Sequence, residues 1–176
     1  ELEINLFIKR DDCTGLAFGG NKTRHLEFIM HKAKIGDYDC VLTGAATQSN
    51  WCRQTVAAAN KLGLETFLVL VRGVKSNQMQ GNFLLYDILG AQVDVVEGEN
   101  VEDIPEHLDR KYEELIKAGR KPLLIKGGFD IKDTVLAGIS YANAMAELDF
   151  QMKEHNFIAD HLIVTAANMT QAGCDL

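Results

Sequence analysis

Lys22 stands directly after Gly19-Gly20-Asn21 and opens a helix-like stretch, Thr23-Arg24-His25-Leu26-Glu27. Paired glycines let a backbone pass close to a ligand, and Asn21 is a good cap for the helix that follows. A lysine in the first turn of a helix faces the positive end of the macrodipole. That field disfavours the ammonium and favours the free amine, the form needed for Schiff-base chemistry. A plain surface lysine is the competing reading, since most lysines are exposed.

A second loop, Thr43-Gly44-Ala45-Ala46-Thr47-Gln48-Ser49-Asn50, joins a strand-like run to another helix-like run. Open α/β sheets bind ligands beyond the carboxyl ends of their strands, where a helix N-terminus offers unpaired N–H groups to a carboxylate or phosphate. Gln48, Ser49 and Asn50 add side-chain donors there, although ordinary capping by Ser49 or Asn50 accounts for the same spacing. Trp51 reads as core in preference to a cofactor lid. A third loop, Thr165-Ala166-Ala167-Asn168-Met169-Thr170, again runs from strand to helix. Its place suits a phosphate but its composition does not, because the first glycine to appear is Gly173.

The elements that must position these loops alternate. Apolar, β-branched runs at Leu2 to Ile8, Asp39 to Thr43, Thr66 to Val71, Gln92 to Val96, Pro122 to Lys126 and His161 to Thr165 predict strands. Between them, Ser49 to Leu62 and Met79 to Leu89 read as helices, closed by Gly63 and Gly90. Val101 to Ala118 aligns Ile104, Leu108, Tyr112, Leu115 and Ile116, and Thr134 to Lys153 aligns Val135, Ile139, Ala142 and Ala146. The helix after Lys22 should bury Leu26, Ile29, Met30 and Ala33. This alternation predicts an α/β protein with an open, mostly parallel sheet covered by helices on both faces.

Composition narrows the function. The 176 residues carry a formal net charge of −7, which argues against nucleic acid as the main partner. No apolar run is long enough to cross a bilayer. Cys13, Cys40, Cys52 and Cys174 form no C-x-x-C pair, which suits reduced thiols in a cytoplasmic protein better than a disulfide frame or a metal site. The sequons at Asn21 and Asn168 are read as chance matches, and the acidic run from Glu97 to Asp109 as a solvated helix start. Both ends read as cut, so a fragment of a longer enzyme, or a chain that needs a partner, is expected.

Lys9-Arg10-Asp11-Asp12, Gly19-Gly20-Asn21-Lys22 with Leu26-Glu27, Gln48-Ser49-Asn50, and Gly81-Asn82-Phe83-Leu84-Leu85 with Leu89-Gly90-Ala91 follow one another in order. Together they resemble the 1-aminocyclopropane-1-carboxylate deaminase and D-cysteine desulfhydrase family, pyridoxal-phosphate enzymes of fold type II with a tryptophan-synthase-β-like architecture. The resemblance implies that Lys22 forms the Schiff base with pyridoxal 5′-phosphate and moves the proton at the substrate α-carbon. It implies that Asn50 bonds the 3′-oxygen of the pyridine ring and that Gln48 and Ser49 hold the substrate carboxylate. Thr170 matches the threonine that closes the family's phosphate loop, and the substrate is a small amino acid. A homodimer is implied too. So are a smaller domain over residues 25–135 and a larger, cofactor-holding one formed by 1–24 and 136–176, with its second half incomplete.

The chain also departs from that pattern. Ala166-Ala167-Asn168-Met169-Thr170 stands where the family has Gly-Ser-Gly-Gly-Thr, and Trp51 where it commonly has His. A member of the fold that has lost catalysis and persists as a structural or binding protein therefore stays open as the alternative. A nucleotide-binding module is weaker, because no G-x-G-x-x-G follows any predicted strand.

Overall fold

The computed structural model describes residues 4–72, 78–96 and 100–165. Helix α1 (Lys22–Ile35) forms as its apolar spacing predicts, with Leu26, Ile29, Met30 and Ala33 all buried. Strand β1 (Cys40–Ala46) follows. Helix α2 (Asn50–Lys61) is capped by Ser49, whose Oγ accepts from the Cys52 N–H at 3.3 Å. At its far end Gly63 adopts φ +71°, a left-handed conformation that ends a helix without a Cβ penalty. Strand β2 (Glu65–Val71), helix α3 (Gly81–Ile88) and strand β3 (Gln92–Val96) come next. Helix α4 (Ile104–Lys117), strand β4 (Pro122–Ile125) and the long helix α5 (Ile131–Glu154) complete the order.

The four strands make one parallel sheet in the order β3-β2-β1-β4. The chain starts in the interior at β1, steps outward to β3, and then crosses back to place β4 on the other side. The strand order thus reverses between β1 and β4, the kind of position where open sheets hold ligands beyond their carboxyl ends.

Side-chain alternation assigns the two faces. Val41, Leu123 and Ile125 pack with Leu26, Ile29 and Met30 of α1, and Leu68 and Leu70 pack with Val56 of α2 and Tyr86 of α3. Leu42, Phe67, Val69 and Val71 point the other way, onto Ile104, Leu108 and Leu115 of α4. Both faces are therefore covered, and each fully buried Leu or Ile contributes roughly 1.5–3 kcal/mol relative to exposure.

Several expectations are corrected. Residues 4–8 and 161–165 form no strand. Apolar, β-branched composition marks a segment for burial but supplies no ladder partner, and neither run pairs with the sheet. Helix α5 begins three residues before the expected Thr134, at Ile131. Its buried line is Ala137, Ser140, Tyr141 and Ala144, whereas Val135 and Ile139 are about half exposed and Ala146 is exposed. The helix turns its small residues inward because α1 packs closely against it there. On α4, Ile116 likewise lies outside the buried stripe. Among the described residues no helix is long and apolar enough to cross a membrane, and no group of His, Cys, Asp or Glu could hold a metal ion.

Candidate active site

The turn before Lys22 is held from four directions. Ala17, Phe18, Gly19 and Gly20 all have positive φ, so the chain makes a tight left-handed approach to α1. The Gly20 N–H donates to the Asp11 carbonyl at 2.9 Å and to Thr14 Oγ1 at 3.0 Å. Arg24 holds the Asp11 carboxylate through two bonds, at 3.0 and 2.8 Å, and reaches Glu147 on α5 at 2.8 Å. Lys9 donates to the same glutamate at 2.6 Å. A network of charges thus fixes the segment from Lys9 to Asp11 against α1 and α5, and through the Asp11 carbonyl it fixes the glycine turn. Such charge-assisted bonds are each worth about 1.5–3 kcal/mol when solvent access is limited.

From the other side, α2 grips the Gly19 carbonyl. Gln54 Nε2 donates to it at 2.8 Å and Arg53 at 3.0 Å. The same Arg53 guanidinium donates to Asn50 Oδ1 at 2.7 Å. One side chain therefore spans the distance between the turn that carries Lys22 and the start of α2, placing the two loops singled out in the sequence side by side.

Lys22 itself is half-buried, and that burial holds its ammonium below the ordinary lysine value. One helical turn on, His25 is buried in a T-shaped contact with Tyr141 at 5.6 Å between centroids, and its Nε2 has no hydrogen-bond partner among the described residues. Burial, and next to it the Lys22 charge, lower the imidazole to about 4, so it is neutral near pH 7. A lysine and a histidine whose protonated forms are both disfavoured by burial thus share the first turns of α1.

The loop after β1 is tied to α3. Gln48 Nε2 donates to the Gln80 carbonyl at 3.0 Å, and Gln48 Oε1 accepts the Asn82 N–H at 3.0 Å. The Gln48 side chain is therefore turned toward α3, while its backbone and the first-turn N–H groups of α2 remain at the sheet's carboxyl edge. Ser49 combines its capping hydroxyl with a carbonyl that accepts from the buried Tyr86 hydroxyl at 2.8 Å. Trp51 behaves as core: its indole N–H donates to Thr43 Oγ1 at 2.9 Å, and that hydroxyl donates to the Ile125 carbonyl of β4 at 2.8 Å.

Lys22, Gln48, Ser49 and Asn50 are thus brought to one end of the sheet. Thr170 and the rest of the loop from Ala166 lie outside the described residues, as does Cys174. Cys13, Cys40 and Cys52 are free thiols. Sequence reasoning gave no site role to Arg53, Gln54, Asn82 or His25. The dipole argument used for Lys22 applies equally to Arg53, a cation in the first turn of α2. Asn82 entered only as one member of the run Gly81-Asn82-Phe83.

Residues 1–173 match the model of the family described as pyridoxal-phosphate dependent enzymes. The chain is 34% identical over 177 residues to a 1-aminocyclopropane-1-carboxylate deaminase of Ralstonia nicotianae, an alignment that covers 97% of this chain and 52% of the relative. A crystal structure of an ACC deaminase homologue superimposes with a TM-score of 0.72 at 35% identity, covering 81% of this chain and 42% of that one. Diaminopropionate ammonia lyase from Escherichia coli, at 17% identity and a TM-score of 0.63 over 92% of this chain and 44% of that one, shares the fold. The chain spans about half the length of the curated relatives it matches.

Proposed function

Because the chain belongs to the family of pyridoxal-phosphate dependent enzymes, we propose that it is the lysine-bearing part of a deaminase or lyase acting on a small amino acid, by ring-opening deamination or α,β-elimination. The observation that carries this reading is the half-buried Lys22, held at a glycine turn that Arg53 ties to Asn50.

The residues present fit pyridoxal phosphate. Lys22 offers an amine whose ammonium form is held below the ordinary lysine value by burial. Asn50, exposed at the start of α2, offers an amide to the ring's 3′-oxygen. When bound, the cofactor supplies an electron sink for charge developing at the substrate α-carbon. Lys22 would hold the cofactor through its amine and would carry the proton to and from the substrate α-carbon. Ser49, with the N–H groups that open α2, receives the substrate carboxylate, and Gln48 contributes through its backbone because its side chain is engaged with α3. Thr170, matched to the family's phosphate-loop threonine, would hold the cofactor's phosphate. Residues 25–135 form the smaller domain, and 1–24 and 136–176 belong to the larger one. The enzyme works as a cytoplasmic homodimer, where thiols such as Cys40 and Cys52 stay reduced.

The test is borohydride reduction in the presence of pyridoxal phosphate, followed by peptide mapping. The pyridoxyl group should lie on Lys22; a label on Lys9 or Lys126 instead would sink the assignment.

A second reading, a non-catalytic member of the fold, is favoured by Ala166, Asn168 and Met169 at positions where bare glycine suits a phosphate cradle. Losing two backbone bonds to phosphate weakens binding on the order of a hundredfold. Titration of pyridoxal phosphate against the protein, and against a variant with glycine at those three positions, separates the two. A large gain on restoring glycine supports the second reading, and tight binding without it supports the enzyme.

A further inference from the structure

The amide of Asn50 is held by a closed set of hydrogen bonds whose polarity can be read bond by bond. Arg53 spends one terminal nitrogen, NH1, on two acceptors, Asn50 Oδ1 at 2.7 Å and Asn82 Oδ1 at 2.8 Å. Asn82 Nδ2 has two protons and spends them on Asn50 Oδ1 at 2.9 Å and the Gln48 carbonyl at 2.8 Å. The Asn82 backbone N–H takes Gln48 Oε1. Each proton of Arg53 NH1 and of Asn82 Nδ2 has its own acceptor, and Asn50 Oδ1 receives two of them.

The oxygen and nitrogen of an asparagine amide are ordinarily distinguished only through their partners. Here the partner decides, because a guanidinium is a donor and never an acceptor. Turning Asn50 over would set its NH2 group against two donors, and turning Asn82 over would do the same against Arg53. The single arrangement that satisfies all three groups commits Asn50 Oδ1 to the protein and leaves Asn50 Nδ2 to face away from the clamp. Asn50 is exposed, so that nitrogen is available to a ligand.

We propose that Arg53 is a positioning residue which, through Asn82, locks the Asn50 amide so that the site presents a hydrogen-bond donor at this point and selects a ligand bearing an anionic or lone-pair oxygen there. This rests on the reading that Asn50 meets the ring 3′-oxygen of pyridoxal phosphate. Arg53 also holds the Gly19 carbonyl, so the same side chain sets the Lys22 turn and the ring-facing donor as one unit. Asn82, with no ligand role of its own, carries the constraint from α3.

The experiment compares pyridoxal phosphate with 3-deoxypyridoxal phosphate, which lacks the ring oxygen, by equilibrium dialysis against the full chain and its variants. A donor fixed on an oxygen that carries charge should favour the natural ligand about tenfold or more beyond the two compounds' difference toward a simple amine. Arg53→Met should cut that extra preference at least severalfold, because it removes the charged one of the two donors that hold Asn50 Oδ1 and leaves only Asn82 Nδ2 to oppose its turning over. Asn82→Asp should do the same by drawing the guanidinium onto its carboxylate, and it stands as the independent variant if Arg53→Met does not fold. Arg53→Lys, still a donor only, should keep at least part of the preference. Equal weakening of both compounds in Arg53→Met and Asn82→Asp would show a structural role alone and overturn the proposal. Borohydride mapping on the same samples separates the two levels. Label on Lys22 with an unchanged preference defeats the Arg53 role only, whereas label elsewhere defeats the reading beneath it.

Discussion

Gln54 on α2 donates to the carbonyl of Gly19 at 2.8 Å, across 35 residues of sequence. Its Oε1 accepts from Thr23 Oγ1 at 2.8 Å, so one fully buried amide grips the chain on both sides of Lys22. Replacing Gln54 with Leu keeps the volume but removes both bonds, leaving the Gly19 carbonyl to Arg53 and the Thr23 hydroxyl to Thr14. We expect Gln54→Leu to destabilise the fold by about 1–3 kcal/mol. Urea unfolding measures it, and an unchanged midpoint would contradict the role given to this side chain.

Gly19 and Gly63 share nearly the same φ, +70° and +71°, in very different surroundings. A Cβ on Gly63 meets nothing, whereas one on Gly19 collides with the backbone carbonyl of Asp12. Gly63→Ala should therefore cost only the left-handed strain, about 1 kcal/mol. Gly19→Ala should cost at least about twice that, because backbone cannot step aside as a side-chain tip can. Comparable melting temperatures for the two variants would count against the tight packing of the Lys22 turn.

Stability should depend on pH through His25. An unfolded histidine takes up its proton near pH 6.5, but in the fold burial and the neighbouring Lys22 charge delay this to about 4, with Tyr141 of α5 against the ring. Between those values the unfolded chain binds more protons than the folded one, so stability falls as pH drops through that window and levels off below it. The total for this group is about 3 kcal/mol. Glu147, lowered from 4.5 to about 2 by Arg24 and Lys9, loses its contribution as pH falls between those two values, which begins below the pH 5 of the test. Denaturation at pH 7 and pH 5 should show the slope in the natural protein and a much smaller one in His25→Phe.

Ser49→Ala removes the oxygen that caps the Cys52 N–H and should cost about 1 kcal/mol of stability. If Ser49 also receives the substrate carboxylate, turnover should fall by far more than this loss explains. A melting shift of several degrees with turnover unchanged would reduce Ser49 to a cap.

Much of the fold was legible along the chain because its signals are local. The apolar spacing of Leu26, Ile29, Met30 and Ala33 made α1, the continuous apolar runs made β1 and β2, and β3 falls on the five residues expected. Lys22 and the Gln48-Ser49-Asn50 loop were likewise marked by their positions at helix starts. Propensity, periodicity and the helix dipole act within a few residues, so they can be read without the fold. The strand order β3-β2-β1-β4 could not be, nor the failure of residues 4–8 and 161–165 to join the sheet, since a parallel ladder depends on a partner far away in sequence. The same holds for α5, whose apolar Val135 and Ile139 stay outside while small residues face α1. It holds most of all for Arg53, which meets Gly19 and Asn82 across 34 and 29 residues. A hydrogen bond is decided by which groups arrive within about 3 Å of each other, and only the packed chain brings these together.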